Sequence, residues 1–290
     1  MSDTTQIYDQ GYRIYNGPRT GVPGAVRALV KQSLRHSLGL GRSAAHKVLP
    51  LAIVAMSYIP AIVFVGLAVL IPADVSDRFL PTYADYYGFI AATIYLLAGL
   101  VSPDLLCADR RTGMLGVYLA SPLSRNTYLV GKAIAVFIML MMVTLGPPLL
   151  LLIALSLQGL GPDGFNNWIM TLAKIGMSSA VIGVFYTSIS LAVAAFTDRK
   201  AMAAAAIMAV IPGSGIFTDR LVLDLDLSPW FRLGNLLFLP RAIVFRLFRE
   251  REGWPVYENS TMSLWIAFAL IVGACVLAIW YRYRTLLVTK

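Results

Sequence analysis

The sequence predicts an all-α membrane protein: six transmembrane helices, an N-terminal amphipathic interfacial helix, and outer re-entrant helices between spans five and six. Composition is the first ground. Of 290 residues, 58% are hydrophobic and only 13% charged, whereas a soluble domain is roughly half apolar and a quarter charged. Hydropathy is the second. Six charge-free runs, 48–73, 86–103, 133–162, 175–197, 201–218 and 259–281, approach or exceed the ~20 residues that cross a ~30 Å hydrocarbon core. Charge placement is the third. Sixteen of the 24 Lys and Arg fall before Val48, within 104–132, at 199–200 or after Tyr281. Alternating spans put all of these on one side, and short loops rich in Lys and Arg stay in the cytoplasm. Both termini are therefore expected inside.

This charge pattern also explains the net charge of +9 without nucleic acid. One conflict remains: Arg220, Arg232, Arg241, Arg246, Arg249 and Arg251 all fall in the outer segment 219–258, where six acids balance them. The chain divides into a cytoplasmic N-terminal segment, 1–47, and a six-helix transmembrane domain, 48–290. The first hydrophobic run begins too deep for a signal peptide.

Residues 1–21 are polar, with Tyr8, Tyr12 and Tyr15. From Pro23 to about Arg42, Val26, Val30, Leu34 and Leu38 recur every four residues beside a stripe of Arg27, Lys31 and Arg35. Such a helix suits the cytoplasmic lipid surface, and an ordinary soluble amphipathic helix is the plainer alternative. The first span carries Pro60 and is expected to kink there. A short outer loop with Asp74, Asp77 and Arg78 follows, then Tyr83, Tyr86 and Tyr87 at the place of an interfacial aromatic belt. The second span is expected to end near Pro103, leaving Cys107 in the inner loop, and the third to begin between Tyr128 and Lys132.

Gly146-Pro147-Pro148 interrupts the third run. Trp168 opens the fourth, with Lys174 inside it as a snorkelling anchor or a contact to an anionic substrate. Thr197-Asp198-Arg199-Lys200 reads as a tight inner turn. The Ala-rich fifth span is expected to end in Pro212-Gly213-Ser214-Gly215. Its small residues permit close packing on a neighbour or a second subunit. Pro147, Pro148, Pro212 and Gly213 are candidate hinges of a transport path, or simply bends that serve packing. Segment 219–258 is apolar for a loop, which fits short helices dipping into the outer leaflet.

Several chemistries are missing. There is no G-x-x-x-x-G-K-[ST] loop for a nucleotide and no G-x-S-x-G elbow. His36 and His46 have no companions at metal-ligand spacing, and Cys107 and Cys275 stand apart, so no metal site or disulfide is expected. No carboxylate falls at a predicted midplane, which disfavours ion-gradient coupling.

Asp109-Arg110-Arg111-Thr112-Gly113-Met114-Leu115, continuing to Pro122-Leu123-Ser124-Arg125, resembles the loop after the second span in permease subunits of type-2 ATP-binding-cassette exporters. That pattern runs roughly E-R-E-x-G-T-L-x-x-L-x-x-x-P-[VIL]-S-R. Asp109, Arg110, Gly113, Leu115, Pro122, Ser124 and Arg125 fall in register, while Arg111 and Met114 depart from it. The resemblance implies two permease copies, or one with a related permease, docked on separate P-loop ATPase subunits that hold the ATP and Mg; no cofactor is expected in this chain.

It also implies that the loop sits in an ATPase groove. Arg110, Arg111 and Arg125 would make the polar contacts and Leu115, Leu119 and Pro122 the apolar ones. A multi-pass protein of a bacterial-type inner membrane follows, moving a lipid, lipid-linked glycan or hydrophobic drug-like compound outward. Low intramembrane polarity fits equally a membrane anchor or assembly factor.

Overall fold

A computed structural model describes residues 20–41, 43–71, 80–249 and 259–285. The expectations for Tyr8, Tyr12, Tyr15, Asp74, Asp77, Arg78 and segment 250–258 lie outside those residues. All regular structure described is helical: α1 Gly21–Ser37, α2 Ala44–Leu70, α3 Tyr83–Phe89, α4 Ala91–Arg111, α5 Met114–Ala120, α6 Arg125–Thr144, α7 Gly146–Leu157, α8 Phe165–Ala195, α9 Lys200–Leu223, a 3-10 turn Pro229–Gly234, α10 Leu239–Phe248 and α11 Thr261–Thr285. Six of these units are long and apolar enough to cross a membrane, with α6 and α7 forming one 33-residue span.

The spans alternate in direction. The 112–124 loop, the 196–199 turn and the end of α11 therefore share one end, here the near end; α3, α10 and the 158–164 loop belong to the far half.

Burial separates an inner set of helices from an outer one. In its most apolar stretch α8 is 78% buried and α4 67%, whereas α2, α9 and α11 fall to 22%, 28% and 17%. Small polar groups hold the inner helices together, as suits a solvent in which apolar contact alone does not drive association. Ser102 and Ser190 share a 2.7 Å hydrogen bond. The Tyr87 hydroxyl donates to the Ile175 carbonyl and meets Ser179 Oγ at 3.1 Å, and Ser179 donates onward to the Thr144 carbonyl. The Tyr86 hydroxyl reaches the Ser57 carbonyl at 2.8 Å. These tyrosines are thus enclosed in the bundle rather than standing in an aromatic belt. Their hydroxyls find carbonyls in mid-helix, which removes the reason to seek the interface.

Two expected helix ends move outward because proline does not stop the helix. α4 passes through Pro103 to Arg111, and α9 passes through Pro212 to Leu223. Proline forfeits one helix bond, and neighbouring helices or hydroxyls re-satisfy the freed groups inside a bundle. Ser214 donates to the Ile211 carbonyl in the turn around Pro212. Cys107 consequently lies buried within α4 rather than in a loop. The Gly146-Pro147-Pro148 break is real: Thr144 ends α6, and the prolines occupy the first turn of α7, where their missing N–H groups cost nothing. Gly146 admits the Tyr58 hydroxyl, which would stand 2.0 Å from any Cβ there.

α1 lays Leu29 on Gly131 of α6 and leaves Arg27, Lys31 and Arg35 exposed. The inward face of α9, with Ala203, Ile207 and Ile211 buried, packs on α4 at Gly99.

Segment 235–238 turns back into the bundle. Asn235 is fully buried, and its side-chain oxygen accepts from the backbone N–H groups of Leu237 and Phe238. The Leu236 N–H donates to Ser214 Oγ, and its carbonyl accepts from the Tyr186 hydroxyl. Ser214 stands about 13 Å along α9 from Leu223, at ~1.5 Å per residue, so the segment meets α9 well short of that helix's end. α10 continues from it and buries Ala242, Ile243, Val244 and Phe245 against α8, α3 and α11. Lys174 lies over the Phe248 ring at 5.7 Å.

Tyr87→Phe tests the enclosed position: it should cost about 1 kcal/mol of stability in detergent unfolding. A belt tyrosine would lose nothing measurable.

Candidate coupling site

The last two turns of α4 carry the charges that organise the near end. Asp104 lies about two turns before the end, among helices. Its carboxylate receives the Lys200 ammonium of α9 at 2.5 Å and His36 Nε2 of α1 at 3.4 Å. Asp109 receives Lys132 of α6 at 2.7 Å and the Tyr128 hydroxyl at 2.8 Å. Lys132 is only 3% exposed, and its ammonium sits 5.4 Å from the Tyr118 ring of α5 and 5.6 Å from that of Tyr128. Burial pushes the Tyr118 phenol above its ordinary range, and the Asp109 carboxylate adds to the push.

Two arginines cap helices. Arg110 donates to the carbonyls of Ala194, Ala195 and Thr197 at the end of α8, with Asp198 3.4 Å from its Nε and the Tyr283 ring beneath it. Arg125 donates to the carbonyls of Tyr283 and Arg284 at the end of α11, at 3.1 and 2.8 Å. The last carbonyls of a helix have no partner of their own and carry the negative end of its dipole, so a guanidinium satisfies both needs.

The loop between these anchors is locally determined. α4 stops because Gly113 takes a left-handed conformation, φ +71°, which glycine adopts without the Cβ clash. α5 follows at once. Ser121-Pro122 turns the chain, and Ser124 with Thr127 forms a reciprocal capping box that starts α6. α5 is two-faced: Leu115 is buried and Leu119 half-buried, while Met114 and Val117 are 40% and 63% exposed. Arg111, Gly113, Pro122 and Ser124 are exposed beside them.

The structure thus brings Asp109, Arg110, Arg111, Gly113, Leu115, Leu119, Pro122, Ser124 and Arg125 together at one end. It uses Asp109, Arg110, Arg125 and Leu115 within the chain itself. Sequence reasoning missed Asp104, Lys132, Tyr118 and the outward pair Met114 and Val117. The three-residue step from Met114 to Val117, opposite Leu115 and Leu119, was the available signal. Pro147, Pro148, Pro212 and Gly213 stand apart from this cluster, in the first turn of α7 and the middle of α9.

Beside the cluster, α4 and α9 enclose a groove of about 750 Å³. Gly99, Leu100 and Ala204 form its apolar part, and Arg111, Arg199 and Lys200 stand at its charged part with Asp198. Among the described residues neither Arg111 nor Arg199 has a carboxylate partner.

Six apolar spans with a two-faced helix wired to their ends define a multi-pass membrane permease. Residues 16–223 match the family described as ABC-2 family transporter protein, and the chain belongs to that family. The match runs from α1 to the end of α9 and stops before α10 and α11. No curated protein matches the sequence. Membership implies an ATP-binding-cassette ATPase as partner.

Lys132→Met should cost about 3 kcal/mol or more, because it strands the Asp109 carboxylate in a buried site. Adding Asp109→Asn should recover most of that loss; an additive double mutant in thermal unfolding would show the pair to be uncoupled.

Proposed function

We propose that this chain is the membrane-spanning subunit of an exporter that moves an amphiphile, a lipid, lipid-linked glycan or hydrophobic drug-like compound, out of the cytoplasm or inner leaflet. Two copies, or one with a related permease, dock on separate ATPase subunits that bind ATP and Mg. The near end faces the cytoplasm of a bacterial-type inner membrane, α1 lies at its lipid surface, and segment 235–248 is re-entrant from the outer side.

One observation carries this reading. α5 offers an outward apolar face while its inward face touches the buried Lys132–Asp109 pair. A partner that grips Met114, Val117 and Pro122 pushes on a helix whose Tyr118 rests on Lys132. Lys132 in turn holds α4 to α6, and Arg110 holds α4 to α8. Movement at α5 is therefore delivered to three spans without passing through flexible backbone. The polar contact to the partner falls to Arg111, the exposed arginine of the loop. Substrate enters the α4–α9 groove, whose volume lies within the ~300–1,000 Å³ usual for ligand pockets. Its apolar part takes hydrocarbon, and Arg199 favours an acidic group. The energy comes from the ATPase partner that membership of the family implies.

Val117→Asp should leave the permease folded and inserted yet weaken ATPase association at least about fivefold, since a carboxylate driven into an apolar contact costs about 1 kcal/mol or more. Unchanged co-purification and unchanged substrate-stimulated ATP hydrolysis would sink the coupling role.

Orientation is checked separately. In a Cys275→Ser background, cysteine at Asp163 should react with an impermeant thiol reagent from outside and cysteine at Asp198 only after permeabilisation. The reverse pattern would invert the topology.

A further inference from the structure

A second cavity lies away from the groove and the coupling face. It is a cleft of about 280 Å³ between α4, α6, α8 and α11. Leu106, Leu129, Leu191, Val276, Ile279 and Trp280 line it, and almost no polar surface does. It opens sideways: Val276 and Trp280, on the bilayer-facing side of α11, are 53% and 42% exposed. Lys132, whose ammonium is held by Asp109, also lines it.

We propose that this cleft binds one acyl chain of an acidic phospholipid from the leaflet at the near end. Size and polarity select the occupant. An apolar cavity is a poor host for water, which needs polar partners. A helix, about 10 Å across with its side chains, does not enter a space this small. A single hydrocarbon chain fits, and it restores the dispersion contacts that an open cleft forfeits.

Charge at the mouth selects the headgroup. Trp280 lies at the near-end third of α11, and the Arg284 guanidinium stacks on its ring at 5.1 Å. Arg284 is exposed and has no carboxylate partner among the described residues. Asn126, also exposed, borders the cleft and offers an amide. A phosphate above the chain pairs with Arg284 while the hydrocarbon runs inward past Trp280. The bound chain bridges α6 and α11 beside Lys132, so lipid occupancy reaches the pair on which α5 rests.

The test uses the purified chain alone in detergent, so it is independent of ATPase coupling. Native mass spectrometry with added phosphatidylglycerol or phosphatidylcholine should find one lipid retained, with phosphatidylglycerol favoured about fivefold, the contribution of one arginine near a lipid headgroup. Ala133→Phe, which fills the cleft from α6, should abolish retention. Arg284→Gln should keep the lipid and lose the preference for phosphatidylglycerol. Should Ala133→Phe not yield monodisperse protein, Val276→Trp closes the mouth from the exposed face of α11 and should have the same effect. Absence of retained lipid in the unaltered chain, retention undiminished by the filling variants, or a full phosphatidylglycerol preference in Arg284→Gln each overturns the site.

Discussion

The near end depends on the placement of three charges in the final turns of one helix. Asp104, Asp109 and Arg110 lie on different faces of α4, and each meets a different neighbour: α1 and α9, then α6, then α8. Charges are costly inside a bundle, and here each is matched by an opposite charge or by orphaned helix carbonyls. Removing one member leaves its partner uncompensated, so the arrangement is stabilised less by attraction than by the cost of breaking it. This makes α4 the common reference to which the other spans are registered.

Neutral hydrogen bonds replace charge through the rest of the bundle. Ser102 with Ser190, and Tyr87 with Ser179 and the Thr144 carbonyl, tie α4, α3, α8 and α6 through short side chains. The returning segment 235–238 follows the same rule. Its backbone groups are met by Ser214 and Tyr186 and by the side chain of Asn235, as buried non-helical backbone requires.

The division of labour along 109–125 follows from amphipathicity at small scale. Residues matching the type-2 exporter pattern serve two ends. Gly113 and Ser124 shape the loop, while Asp109, Arg110 and Arg125 fasten it to helices of the same chain. What stays exposed is a short apolar face, Met114 and Val117, flanked by Arg111 and Pro122. The loop is thereby fastened to four spans: it continues α4, and its neighbours Asp109, Arg110 and Arg125 reach α6, α8 and α11.

The sequence by itself determined the six spans, the helical class, the break at Gly146-Pro147-Pro148 and the coherence of the 109–125 loop. Each is written in local terms: runs of apolar residues long enough for a bilayer, a pair of prolines at a helix start, a glycine that takes the left-handed turn without a Cβ clash. The ends of α4 and α9 were misjudged because Pro103 and Pro212 are breakers by propensity, and only neighbouring helices decide whether the freed groups are satisfied. Tyr86 and Tyr87 looked interfacial for the same reason, since the Ser57 and Ile175 carbonyls that receive their hydroxyls lie far away in the chain. The pairs Asp104–Lys200 and Asp109–Lys132, the capping of α8 by Arg110 and of α11 by Arg125, and the cleft beside Trp280 were decided by tertiary structure alone. Each joins residues from separate helices, and no local pattern encodes which helix faces which.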